Sequence, residues 1–361
     1  MGEALMDRRA LNRATLDRQL LLRRSGMSVP AALSHLVGLQ AQTPHTWYAG
    51  LWSRLAGFRA ADVATLLESR AVVRIALMRS TIHVIGAAEA ARIRPLVQPV
   101  LDRDLFANHT HGRWMRGLDT GAVAAHAHDL LAERAMTPAE TGAALLRRWP
   151  DNNAEALAYA ARNLLPLVQT PPRGVWGRSG RTVHAPLDVW ADPPPHRMKI
   201  DDLVLRYLGA YGPATVADAQ TWSGLTHLAE VVDRLRPQLR TFPGGYVDLP
   251  DAPRPDPDTP APVRYLYDFD NLLLSYRDRT RVLTDEFRSR AVTRHGPVPR
   301  PVLVDGFTAG AWTVAAAALT VRLFVPLTAA DRDAVTTEGA ALLGFLHPDA
   351  APDVRLVEEF E

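Results

Sequence analysis

The chain of 361 residues contains no cysteine. That absence excludes disulfides, Cys-ligated zinc, iron–sulfur clusters and a thiol nucleophile together. Lysine is almost as scarce: of 41 basic residues a single one, Lys199, is lysine, and the others are arginine. An enzyme that works through an amine nucleophile therefore has almost no candidates here. No window approaches the ~18 consecutive apolar residues that a membrane span requires. The opening stretch "MGEALMDRRALNR" carries acids where a leader needs an apolar segment, so a signal peptide is not expected. The expected location is the cytoplasm. Walker A, a GxGxxG after a strand and HExxH are also missing, so no nucleotide cofactor and no metal centre of those types is expected.

What is present is arginine, alanine and ample apolar material. The length suits two or three domains, and 47% hydrophobic residues can fill their cores. Net charge is only +2. The basic residues are nonetheless forks that bind phosphates bidentately and stack on bases.

Helices followed by strands recur three times. "RALNRATLDRQLLLRR" carries apolar residues at three- and four-residue steps, and Ser28 caps "VPAALSHLVGL" with Pro30 in its first turn. Thr43 as cap and Gly57 as stop bound the next helix, "ADVATLLESRAVV" adds another, and "RIALMRSTIHVIG" alternates like a strand. The second round opens on a capping box, Thr137 to Glu140. It closes on a predicted hairpin, Val175-Trp176 against Thr182-Val183 across a Gly-Arg-Ser-Gly-Arg tip. The third runs helix–turn–helix through Gly212-Pro213 and closes at Gly244-Gly245. Helices followed by a hairpin are the order of a winged helix. The fold class expected is α+β, predominantly helical, with tandem winged-helix repeats and β-hairpin wings. The units are 1–115, 116–198 and 199–250. After a Pro- and Asp-rich stretch, a mixed α/β region spans 262–361, with "TAGAW" as a hairpin turn.

Several residues could carry chemistry. Arg178 and Arg181 flank the predicted wing tip, placed to grip phosphates or simply to be solvated. His83 alternates with Ile82 and Val84, on a face shared with Thr81 and Arg79. It is either a hydrogen-bonded structural imidazole or a substrate contact. His109 and His111 have a spacing that metals use, but no third ligand follows, and no zinc is expected. Asp268 and Asp270 in "YDFDN" are either a magnesium-binding pair or a loop in which Asp270 or Asn271 caps a turn. Gln40 and Gln42 stand two apart before a Thr-Pro step. On a helix they would diverge by roughly 200°. If both address one substrate, the segment must be extended or a turn, and Thr43-Pro44 supports that, because a residue before proline avoids the helical region.

Six stretches in order, "RALNRATLDRQLLL", "LVGLQAQTPHTWYAGLWSRL", "ALMRSTIHVI", "PPRGVWGRSGR", "YDFDNLLLSYRDR" and "VLVDGFTAGAWTV", resemble the winged-helix DNA glycosylases of the AlkZ type, which protect azinomycin producers. The resemblance runs from about residue 8 to the C-terminus. It implies a C-shaped scaffold of tandem winged helices and excision of bulky N7-alkylated purines, including crosslinked ones, as self-resistance to an alkylating natural product. It also implies that Gln40 and Gln42 form the catalytic pair, in a Gln-x-Gln branch distinct from the Gln-x-Asp of the sister YcaQ-like proteins. Its partner would be double-stranded DNA in a bacterial nucleoid, bound by a monomer through residues such as Arg79, His83, Arg178 and Arg181. A glutamine amide cannot be protonated or deprotonated near neutral pH, but it can orient water. That suffices where the base already carries a positive charge and leaves without protonation. The competing readings are a non-enzymatic winged-helix regulator, a nuclease using Asp268 and Asp270, and a protein that sequesters the genotoxin. "HTWYAGLWSRL" is too aromatic and apolar for a base-reading helix.

Overall fold

A computed structural model describes residues 6–191, 198–291 and 299–359. The first five residues of the opening stretch, read above for a leader, lie outside them. Local signals set many of the helix starts. Ser28 accepts from the Ala31 N–H at the head of α2, and Thr137 and Glu140 form the reciprocal capping box of α8.

The first round comprises α1 (Arg8–Arg18), α2 (Val29–His35), β1 (Leu39–Gln40), α3 (Trp47–Arg54), α4 (Ala60–Glu68), β2 (Val72–Ala76) and β3 (Ile82–Gly86). It is followed by α5 (Ala87–Ile93) and α6 (Gln98–Ala107). The second holds α7 (Thr120–Glu133), α8 (Pro138–Leu146), α9 (Ala154–Leu164), β4 (Leu167–Gln169), β5 (His184–Pro186) and α10 (Leu187–Ala191). The third runs α11 (Ile200–Tyr211), α12 (Val216–Ser223), α13 (Leu228–Leu235), β6 (Arg240–Phe242) and β7 (Tyr246–Asp248). The closing region has β8 (Arg264–Tyr265), α14 (Asp285–Ala291), β9 (Pro301–Val304), β10 (Phe307–Ala315), β11 (Ala318–Leu323), α15 (Ala329–Leu346) and β12 (Asp353–Glu358). The fold is α+β.

The strands of the first two rounds merge into one sheet, ordered β1-β3-β2-β4-β5. Its join is the antiparallel pairing of β2 with β4, Arg74 opposite Gln169. This corrects the predicted hairpin. Val175-Trp176 and Thr182-Val183 form no strands; β4 and β5 pair instead, and residues 170–183 between them are irregular. The Gly-Arg-Ser-Gly-Arg segment is a real turn signal, but the sheet edge offered by β2 decides where pairing occurs. In the third round the predicted turn is present, with Gly244 and Gly245 at positive φ between β6 and β7.

"TAGAW" is not a turn. It lies inside β10, where a β-bulge falls between Thr308 and Gly310. A Cβ at Gly310 would sit 2.2 Å from the Arg322 carbonyl oxygen, so glycine here serves close strand approach. The turns lie at Asp305-Gly306 and Ala316-Ala317, all at positive φ. Thr43 does not cap α3, which begins after Thr46; both threonines bind Asp268 instead.

One continuous core joins the first round, the third round and the closing region, from Leu16 through Trp47 and Trp222 to Phe324. The second round packs around its own core, Leu105 to Leu167. The glutamine strand β1 is an edge strand of the merged sheet.

Candidate active site

Gln40 ends β1, directly opposite His83 on β3. Ala41 continues the ladder, its N–H donating to the Ile82 carbonyl at 2.7 Å. The segment is therefore extended, and strand alternation sends the side chains of residues 40 and 42 to one side while Ala41 turns into the core. The backbone is tied from three directions. The Gln40 N–H donates to Asn271 Oδ1 at 3.2 Å, and Asn271 Nδ2 donates to the Tyr211 hydroxyl and the Gly38 carbonyl. Arg74 Nη2 donates to the Ala41 carbonyl at 2.7 Å. Asp268 accepts from Thr43 and Thr46 at 2.7 and 2.6 Å, holding the loop that follows.

The amides are held as firmly as the backbone. Arg79 Nη2 donates to Gln40 Oε1 at 2.7 Å, and Arg79 Nη1 donates to the Trp222 carbonyl. A guanidinium has no acceptor, so the Gln40 oxygen must face Arg79 and its NH2 must face away. Gln42 is exposed, and its Oε1 accepts from the Ile82 N–H at 3.3 Å. Each amide oxygen keeps one lone pair. Gln40 itself is buried.

Charge in the site comes from Arg74, already placed on the Ala41 carbonyl, and from Arg79. No carboxylate lies within 4 Å of Arg79 among the described residues, and burial lowers its pKa to about 10. Arg279 lowers it further. His83 is fully buried, its Nδ1–H donating to the Thr81 carbonyl at 2.9 Å. Its Nε2 is then an acceptor, and it has no partner among the described residues. Burial, helped by Arg79, pushes the imidazole down to about 3, so it is neutral at every physiological pH. Other buried polar atoms without a partner among the described residues include Arg74 Nε and Nη1, Trp222 Nε1 and the Tyr267 hydroxyl.

The structure therefore brings Gln40, Gln42, Arg79 and His83 together and leaves Arg178 and Arg181 elsewhere, on the irregular 170–183 segment. Arg178 pairs with Glu68 at 2.9 Å, both partly exposed, and Arg181 is exposed. Asp268 and Asp270 do not form a bare carboxylate pair. Asp270 is fully buried against Arg54, two bonds of 2.8 Å, and caps the turn at Asn271 through the Leu272 N–H. His111 packs against Tyr159, ring centroids 4.8 Å apart and ring planes tilted by 34°. No group of three or more potential ligands that could hold a metal ion occurs among the described residues.

Sequence reasoning missed Arg74, Tyr211, Trp222 and Arg279, because their contribution depends on long-range packing. Asn271 was visible only as a possible turn cap. Arg277, Arg279 and Arg288 line an open cleft of about 810 Å³ together with Thr221, the neighbour of Trp222. Arg279 of this cleft is near enough for its charge to act on Arg79.

The extended Gln40-Ala41-Gln42 segment and the arginines of this cleft stand on one α+β scaffold. The family model of the AlkZ-like DNA glycosylases matches residues 33–345, and the chain belongs to that family: it is a DNA glycosylase. Among solved structures, Streptomyces sahachiroi DNA glycosylase AlkZ is similar with a TM-score of 0.77, covering 99% of this chain and 100% of that one at 20% identity. At that identity the likeness is one of fold. No curated protein matches the chain in sequence. Among the described residues, no helix is long and apolar enough to cross a membrane.

Proposed function

We propose that the enzyme is monofunctional and excises bulky or crosslinked purines that are cationic through N7-alkylation, acting as a monomer on double-stranded DNA. Gln40 and Gln42 position the water. The observation that carries this reading is the extended Gln40-Ala41-Gln42 segment, whose two amide oxygens are each fixed by one donor and each keep a free lone pair. A water donating to both would present its own lone pair to the sugar carbon. The same carbonyl dipoles stabilise positive charge developing on an oxocarbenium-like sugar.

The environment suits a leaving group that needs no acid. The Gln40 amide cannot supply a proton, His83 is a neutral acceptor, and Asp270 is consumed by Arg54. A cationic N7-adduct departs neutral without one, whereas an ordinary purine or uracil does not. Lys199 is exposed at the start of α11, while Tyr211, at the other end of that helix, is the residue that reaches Asn271. A helix of this length separates them by about 18 Å. No amine side chain is placed to attack the sugar, which supports a product left as an uncut abasic site.

The test is a panel of DNA duplexes carrying N7-guanine adducts of increasing bulk, scored for abasic sites. The wild type releases the adducts and ignores uracil. The Gln40→Ala, Gln42→Ala double variant loses about 10²-fold or more in rate. Borohydride trapping yields no covalent complex. Uracil release comparable with adduct release, or an active double variant, would refute the reading.

A further inference from the structure

The turn between β2 and β3 has an unusual backbone. Arg79 has φ 57° and ψ 20°, and Ser80 has φ 58°, so two successive non-glycine residues are left-handed. That conformation is disfavoured for L-residues and persists only where surroundings impose it. Besides the turn's own backbone bonds, such as Leu77 N–H to the Thr81 carbonyl, those surroundings come from α6, α9 and the end of α12. Arg162 on α9 donates through Nη2 to the Ser80 carbonyl at 2.8 Å. The Ser80 hydroxyl donates to Asp104 on α6 at 2.7 Å, and the Tyr159 hydroxyl donates to the same carboxylate oxygen at 2.6 Å. Behind the turn, Gly224 lies so close that a Cβ there would sit 3.3 Å from the Arg79 Cα.

We propose that Asp104 and Arg162 are positioning residues, which hold the Arg79–Ser80 turn in the one shape that fixes the Gln40 amide. The β2–β3 ladder is continuous from Val72 opposite Gly86 to Ala76 opposite Ile82. The strands therefore pair without help from the turn. What the turn's shape adds is the direction of the Arg79 side chain, which reaches Trp222 and Gln40 Oε1. Arg162 has no carboxylate within 4 Å among the described residues; its amino groups go to Ser80 and Asn163. The second round, whose helices pack largely around their own cluster, thereby acts on a glutamine in the first. This inference rests on the reading of Gln40 as catalytic.

The experiment measures single-turnover release of 7-methylguanine from duplex DNA, together with DNA affinity. Asp104→Ala and Arg162→Met each lower the rate about tenfold, the scale expected of a small misplacement of a reacting group. Affinity for the same duplex stays within about twofold. In an Arg79→Met background, Asp104→Ala costs less than about twofold more, because both changes act through one contact. Ser80→Gly, which adopts the left-handed conformation without strain, restores most of the rate to the Asp104→Ala enzyme. Should Asp104→Ala fail to fold, Asp104→Asn carries the same tests. The proposal is overturned if the Asp104 variant keeps the full rate, or if its loss is undiminished by Arg79→Met and Ser80→Gly. Gln40→Ala separates the two levels: if it retains activity, the reading of the pair fails. If it is inactive while Asp104→Ala is fully active, only the positioning role fails.

Discussion

Because a guanidinium can only donate, the contact from Arg79 decides which way the Gln40 amide is turned. The imidazole opposite is decided as firmly. His83 donates its Nδ1–H to a backbone carbonyl and keeps an unpartnered Nε2 on a fully buried ring, so charging it is costly. Its folded pKa, about 3, lies far below the ordinary 6.5, and burial holds His184 at about 4. The unfolded chain therefore binds these protons first. The stability each neutral ring contributes is complete above pH 6.5 and is lost as the pH falls toward the folded value. At about pH 5 the loss is roughly 2 kcal/mol per histidine. Urea unfolding at pH 7.5 and pH 5 should show both losses in the wild type. In His83→Gln the loss between the two pH values should shrink by the share of His83. An unchanged pH dependence in that variant would mean the ring is not held neutral.

At the scale of elements, what could be read from the sequence was what is local. Ser28, the Thr137–Glu140 box and the Gly244-Gly245 turn act within a few residues of themselves, and the structure has them all. So does the extended glutamine segment, which the Thr43-Pro44 step favours. What could not be read is where edges meet. Nothing in Val175-Trp176 says that β2 will present its edge to Gln169 instead. Nor does an arginine announce a left-handed backbone, since that shape at Arg79 is imposed by α6 and α9. The "YDFDN" stretch left two readings open, and tertiary contacts choose between them. Asp270 is buried against Arg54 and caps a turn. Asp270→Asn should then cost about 3–5 kcal/mol of stability, the scale for removing one partner of a buried ion pair. Base release by the wild type should be unchanged by EDTA. A stable Asp270→Asn enzyme, or EDTA-sensitive strand cutting, would return the nuclease reading to consideration.

For the whole molecule the difficulty is gripping a polyanion with a net charge of only +2. Affinity for DNA scales with the phosphates neutralised, not with net charge, so the distribution of arginines decides it. Many are spent internally: Arg18 on Asp248, Arg54 on Asp270, Arg206 on Glu89. Arg178, placed by its sequence either to grip phosphates or to be solvated, is engaged with Glu68. Arg277 and Arg279 line the open cleft, with Asp278 and Asp285 also in its wall, and make no side-chain ion pair among the described residues, while Arg288 has only a 3.6 Å contact with exposed Asp285. If this cleft carries the backbone next to the lesion, its three arginines supply much of the salt-dependent part of binding. Replacing all three by glutamine should lower the slope of log affinity against log salt by roughly 2–3, at about 0.9 per phosphate contact. The loss should be equal for damaged and undamaged duplexes, because phosphate contacts position without reading bases. Anisotropy titrations over about 50–200 mM salt measure both quantities. An unchanged slope would move the DNA to another face. A loss confined to damaged DNA would mean that the cleft holds the adduct itself.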